Sequence, residues 1–163
     1  MGQGTSQADR QELYLTVIGD PAPQGSKRYL GNGRFIEASP KIPAWRNAVS
    51  MAVANAHEAT GDSSPFTGPI TVVSTFYMRR PKSVKRNYPS VVPDLDKLER
   101  GLWDALTQAG AWQDDSLVIM SLSSKVYADD RPPGATVEIL SADSKNNILI
   151  NLWDKLQTDT LGG

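Results

Sequence analysis

The chain has 163 residues, of which 39% are apolar and 21% charged, and its formal net charge is −1. That length fits one globular domain with a sizeable core, and the balance of apolar and charged residues excludes wholesale disorder. Cysteine is absent and His57 is the only histidine, which excludes disulfides, thiolate or histidine-rich metal sites and histidine-based triads, so any metal here is held by oxygen.

Residues 1–11 read as a flexible polar arm; Met1-Gly2 with Ser6 matches only a short lipidation pattern. The globular domain spans 12–141. Leu13 to Ile18 alternates as a first strand and breaks at Gly19-Asp20-Pro21. Gly31-Asn32-Gly33 predicts a hairpin turn, with Arg34-Phe35-Ile36 returning. From about Pro40 or Pro43 to Ala59, Trp45, Val49, Ala52, Val53 and Ala56 recur at helical spacing, up to a stop near Gly61, and His57 reads as an ordinary surface residue of that helix. Pro69 to Met78 is a strong strand pattern. Residues 81–93 contain Pro81, Pro89 and Pro93, which predicts a mobile cationic loop that orders on a ligand.

A second helix starts at Asp94, with Leu95, Leu98, Leu102, Ala105, Leu106 and Ala109 on its buried face, and Gly110 closes it. Leu117–Tyr127 and Ala135–Leu140 read as strands joined into a hairpin by the turn Asp129 to Gly134. Residues 142–163 form a C-terminal extension, in which 144–157 carry an amphipathic helical pattern through Ile148, Leu149, Leu152, Trp153 and Leu156. The expected fold class is α+β, a mixed sheet of four to five strands packed with two main helices plus this extra one. No apolar run reaches the roughly 18 residues of a bilayer span and no leader pattern opens the chain, so a cytoplasmic location without a membrane partner is expected.

The charges are unevenly placed. Residues 27–100 carry twelve Lys or Arg against six Asp or Glu, whereas 101–163 carry four against nine. Lys27, Arg28, Arg34 and the cluster Arg79, Arg80, Lys82, Lys85 and Arg86 are candidate phosphate contacts, which would position a nucleic acid without reading its sequence.

Two acidic motifs follow this basic half. Asp94 is suited to cap the second helix and Asp96 to its first turn, but one acid would suffice for that. At a helix entrance the two carboxylates can turn toward a common point, and Asp96, Arg100 and Asp104 share a polar face opposite the leucines. Asp114-Asp115 would by itself be turn chemistry. Together the acids suit a hard divalent cation, which takes oxygen ligands and completes its shell with water and phosphate. The intervening helix is roughly 24 Å long at 1.5 Å per residue, so Asp115 reaches Asp94 only if the chain returns or a partner subunit supplies it. Lys125 lies ten residues past Asp115, about 33 Å along an extended strand, which favours a DNA-backbone or interface role.

The ordered set Pro93-Asp94-Leu95-Asp96, Asp104-Ala105-Leu106, Ala109-Gly110-Ala111-Trp112, Asp114-Asp115 and Lys125 resembles the RusA family of Holliday junction resolvases, common in phages and prophages. The resemblance runs from Gly19-Asp20-Pro21 to about Leu140. It implies a homodimeric nuclease for DNA recombination and repair, which uses Mg²⁺, with Mn²⁺ as substitute, to nick opposing strands of four-way DNA symmetrically. By position it makes Asp94, Asp96 and Asp115 the metal-binding carboxylates; Asp114, Asp104 and Lys97 are read beside them as supporting residues. Two residues depart from the family pattern: Lys97 replaces an Asn, and Arg100 stands where a functional lysine is usual. Arg100 keeps the charge but is a poor proton donor, so its expected catalytic role is phosphate or transition-state stabilisation. The alternatives are a non-catalytic junction-binding protein and a nuclease of broader branched-DNA or flap preference.

Overall fold

Leu13, Leu15 and Val17 are buried on β1 (Glu12–Ile18) while the residues between them face outward, as the alternation requires. The structure, a computed structural model, describes residues 10–24, 27–37 and 39–162, with the side chains of Lys27, Arg28, Ile36 and Glu37 also outside the description. The expected arm therefore lies outside the described residues up to residue 9, as do the Lys27 and Arg28 side chains. A two-stranded ribbon follows, β2 (Lys27–Gly31) and β3 (Arg34–Glu37), turning at Asn32 and Gly33, both with positive φ. Then come α1 (Ile42–Thr60), β4 (Ile70–Met78), α2 (Leu95–Gln108), a short 3-10 turn (Asp115–Leu117), β5 (Val118–Tyr127), β6 (Gly134–Ser141) and α3 (Ile148–Leu161).

The fold is α+β, with a four-stranded mixed sheet in the order β1-β6-β4-β5. One face of the sheet carries the core: Trp45, Val49 and Val53 of α1 and Leu98, Leu102 and Leu106 of α2 pack there against Val17, Val72, Phe76 and Ile139. The other face carries Tyr14, Thr16, Thr136, Glu138, Val73, Thr75 and Leu122, all partly or fully exposed, while at one end of it Thr71 and Leu140 are buried.

The expected hairpin between β5 and β6 does not form. β4 runs parallel to β5, from Ile70 beside Val118 to Met78 beside Tyr127, and antiparallel to β6 on its other side. The most apolar strand takes a central place and separates the two. Parallel pairing needs a crossover, and α2 supplies it. The turn-rich segment after β5 instead crosses the end of β4, where Arg131 stacks on the Tyr77 ring at 3.6 Å. β6 opens with a glycine because a Cβ at Gly134 would lie 1.9 Å from the Val17 carbonyl oxygen.

α3 begins later than its pattern suggests because Asn147 sets its start. That side chain is fully buried: it donates to Thr71 Oγ1 at 2.9 Å and to the Ser141 carbonyl at 3.0 Å, and its oxygen accepts from the Ile150 amide. Beyond this cap, α3 has no buried residue.

Candidate active site

The entrance of α2 is built from both sides of the sequence. The backbone of Asp94 is extended, and its carboxylate does not cap the helix. It pairs instead with Lys97 Nζ at 3.0 Å, both side chains being partly exposed. This frees the carboxylate from the helix amides and turns it toward the space ahead of α2. Asp96 is exposed in the first turn; Arg100 is exposed one turn on, and Asp104 half-buried another turn on. The close approach of the segment after β1 is fixed by Gly101, where a Cβ would stand 2.5 Å from the Ala22 carbonyl, and by the Gln24 amide donating to the Lys97 carbonyl at 2.9 Å.

Residues 81–93, expected to be mobile, are tied to the sheet at several points. Arg80 Nε and Nη2 form a bidentate pair with Asp129 at 2.6 and 2.8 Å, and Nη1 donates to the Arg86 carbonyl at 2.7 Å. That contact holds the Asp129 carboxyl below its ordinary range and raises the Arg80 guanidinium. The Arg80 guanidinium also lies 4.0 Å from the centre of the Tyr127 ring, whose hydroxyl accepts from Arg86 Nε at 2.8 Å. At the far end of the loop Lys125 Nζ donates to the carbonyls of Val91 at 2.6 Å and Pro93 at 2.8 Å. The Val92–Pro93 peptide is cis. Lys125, placed by its spacing on the DNA or at an interface, thus has its ammonium bound to the loop that delivers Asp94.

Between this loop, the α2 entrance and the Asp20–Pro23 turn lies a cleft of about 460 Å³. Its charged lining is mostly basic, with Lys41, Arg79, Arg86, Lys97 and Lys125 against Asp20 and Asp94, and Val91, Val92 and Tyr127 add apolar surface. Arg79 pairs with Asp20 at 3.2 Å near its rim. Of the cluster cations Arg79, Lys82, Lys85 and Arg86 are exposed and Arg80 is half-buried, and Arg34 on the β2–β3 ribbon is exposed too. Sequence reasoning gave no sign of Lys41 or Tyr127 here, since only the folded loop brings them in.

Asp115 lies at the opposite end. The chain leaves α2 through Ala111 and Gln113, which clamp Phe66 by backbone hydrogen bonds of 3.1 and 2.9 Å. The Asp114 carboxylate then accepts from the Ser116 amide at 2.8 Å, which caps the 3-10 turn and, with the Ser116 hydroxyl, lowers the Asp114 pKa. Asp115 is exposed as the first residue of that turn. From Val118 to Lys125 the strand rises about 23 Å, and the 14 residues of α2 span about 21 Å. The two acidic motifs therefore stand at opposite ends of one β-α-β unit, and among the described residues of one chain no group of three acidic or histidine side chains converges.

One polar chain under α2 was not anticipated. Ser123 Oγ donates to Glu99 at 2.5 Å and lies 3.0 Å from Ser74 Oγ. Its signal was the polar run Ser121 to Lys125 within an otherwise apolar strand pattern.

The chain matches the description Endodeoxyribonuclease RusA over residues 19–140. It belongs to the RusA endodeoxyribonuclease family. The match covers the α2 entrance, the basic loop and the 3-10 turn, and it ends before α3. The RusA assignment makes the chain a nuclease of the Holliday junction resolvase type. No curated protein matches it. Among the described residues, no helix is long and apolar enough to cross a membrane.

Proposed function

We propose that this RusA-family chain resolves four-way DNA by paired symmetric nicks, acting as a homodimer with Mg²⁺, or Mn²⁺ in its place, on DNA in the cytoplasm. The observation that carries the reading is Asp94 in the wall of a largely cationic cleft, with Asp96 exposed two residues on in the first turn of α2. Carboxylates are the donors a hard divalent cation takes, and one or two suffice when water and phosphate complete the shell. The residues therefore fit the ion, with Asp94 and Asp96 holding it and Asp115 of a second copy adding a third carboxylate. Bound there, the ion would supply Lewis-acid activation of the phosphodiester and of water.

The chain's own residues do the rest. Arg100, exposed one turn beyond Asp96, would stabilise phosphate charge. Lys82, Lys85 and Arg34 draw the DNA backbone toward the cleft. Lys125 positions the Asp94 loop through the Val91 and Pro93 carbonyls. Glu99 braces α2 against β5.

The separation of Asp115 from Asp94 supports the dimer. β5 is the sheet edge, and two such edges running antiparallel about a two-fold axis bring the start of one strand beside the end of the other. Asp115 of each copy would then face the α2 entrance of its partner.

A second reading, a non-catalytic junction binder, draws on the Asp94–Lys97 ion pair, which occupies the carboxylate with a residue of the same chain. Incubating the protein with a synthetic four-way junction separates the two. Symmetric nicks with Mg²⁺ or Mn²⁺ and none with chelator support the enzyme, whereas intact DNA at high protein concentration with either ion sinks it. Equal cleavage of flaps in the same series would widen the substrate class.

A further inference from the structure

Outside the nuclease match, α3 presents an apolar stripe that the described residues of its own chain leave uncovered. Ile148, Leu152, Trp153 and Leu156 are each more than half exposed. Their spacing sets them on one side of the helix, and an isolated helix of 14 residues is marginal in water without a packed face. Asn147 anchors its first turn to Thr71 and Ser141, and past that anchor no residue of the helix is buried.

The open face of the sheet is the second uncovered surface. A groove of about 240 Å³ runs across it, lined by Tyr14, Thr16, Val73, Thr75, Thr136 and Glu138. It is apolar and hydroxyl-lined with one carboxylate, and α3 carries Lys155 beside its stripe.

We infer that α3 docks in this groove on a second copy of the chain, each copy giving its helix and receiving the other's. Area favours this exchange over pairing of two α3 helices. The stripe offers roughly 450 Å² per copy, taking a large aromatic side chain as about 250 Å², so helix against helix would bury roughly 900 Å², short of the 1,200–2,000 Å² of stable interfaces. Helix against sheet, made twice, roughly doubles that figure and falls within the range. Lys155 and Glu138 add complementary charge. The inference needs neither the metal chemistry nor the β5 edge, since Thr136 lies two strands away from β5.

The test is complementation, read by sedimentation equilibrium of the full chain. Leu152→Glu/Leu156→Glu removes the helix knob at exposed positions and Thr136→Lys fills the groove at a partly exposed one; circular dichroism checks that each variant is folded. Each variant alone should dimerise at least tenfold more weakly than the parent. Mixed, they should form a heterodimer tighter than either homodimer, since one intact helix then meets one intact groove. A Thr136→Lys protein that dimerises like the parent would overturn the inference in favour of helix pairing. An unchanged dimer in the helix variant, or a mixture no tighter than its parts, would overturn it as well. Nuclease activity does not enter this readout, so its failure and that of the resolvase reading remain distinct.

Discussion

Lys125 Nζ donates to the Pro93 carbonyl at 2.8 Å, one residue before Asp94, across a sequence distance of 32. The bond joins the end of β5 to the entrance of α2, and with the Val91 contact it gives the loop a fixed exit. Lys125→Met keeps the aliphatic stem and loses both bonds. Cleavage of a four-way junction should fall on the order of 10- to 100-fold, the scale of a misplaced reacting group, while junction affinity changes little. A DNA-contact role predicts the reverse, with affinity lost first, so paired measurement of kcat and Kd decides.

The separation of the acidic motifs gives a sharper test. Asp96→Asn and Asp115→Asn should each abolish cleavage, with binding retained in the first because a carboxylate repelling phosphate is removed. Mixing the two inactive proteins rebuilds one composite site per heterodimer if Asp115 acts across the interface. Nicking of one strand should return. Continued inactivity of a mixture shown to contain heterodimer would place Asp115 elsewhere.

Charge in the basic loop divides into two kinds. Lys82 and Lys85 are exposed, whereas Arg80 is committed to Asp129 and to the Arg86 carbonyl. Replacing both lysines with alanine should lower the slope of log affinity against log salt by about 2 and leave Tm unchanged. Arg80→Ala should lower Tm and disorder the loop. Identical behaviour of the two variants would refute the division.

His57 lies half-buried on α1 with its Nε2 unpartnered among the described residues, although a plain surface position was expected. Burial, then the nearby Arg10 guanidinium, hold its pKa below the ordinary 6.5, outweighing the opposing Asp62. The unfolded chain therefore takes up the proton first, so this contribution to stability is present above pH 6.5 and is lost as pH falls through the lower folded value. Tm should drop on acidification across that window, and His57→Gln should flatten the drop. An equal drop in the variant would assign it to other groups.

The elements themselves were legible in residue patterns. The leucines of α2, the alternation of β1 and the stop at Gly61 depend on neighbours close in sequence. Strand order was not, because Asp129 to Gly134 has the chemistry of a hairpin turn while β5 and β6 each find β4, a partner remote in sequence. The candidate site divides the same way. Asp94, Asp96 and Asp115 stood out as oxygen donors in a chain without cysteine, and the helix length already set Asp115 apart from Asp94; that the chain does not return to close the gap followed only from the direction in which α2 runs beneath the parallel strands. Lys125 and Glu99 owe their places to that same crossing, which no spacing along the chain encodes.

β1 is the sheet's other outer strand, opposite β5, and its partner within the sheet is β6. During synthesis the first strand therefore waits until residues 134–141 have emerged before its ladder can close. α1 and the β-α-β unit that contains α2 lie before those residues and rest on more local contacts. The nascent chain accordingly carries an unmatched edge through most of its translation, and closure of the sheet is a late event that comes with the last of its strands.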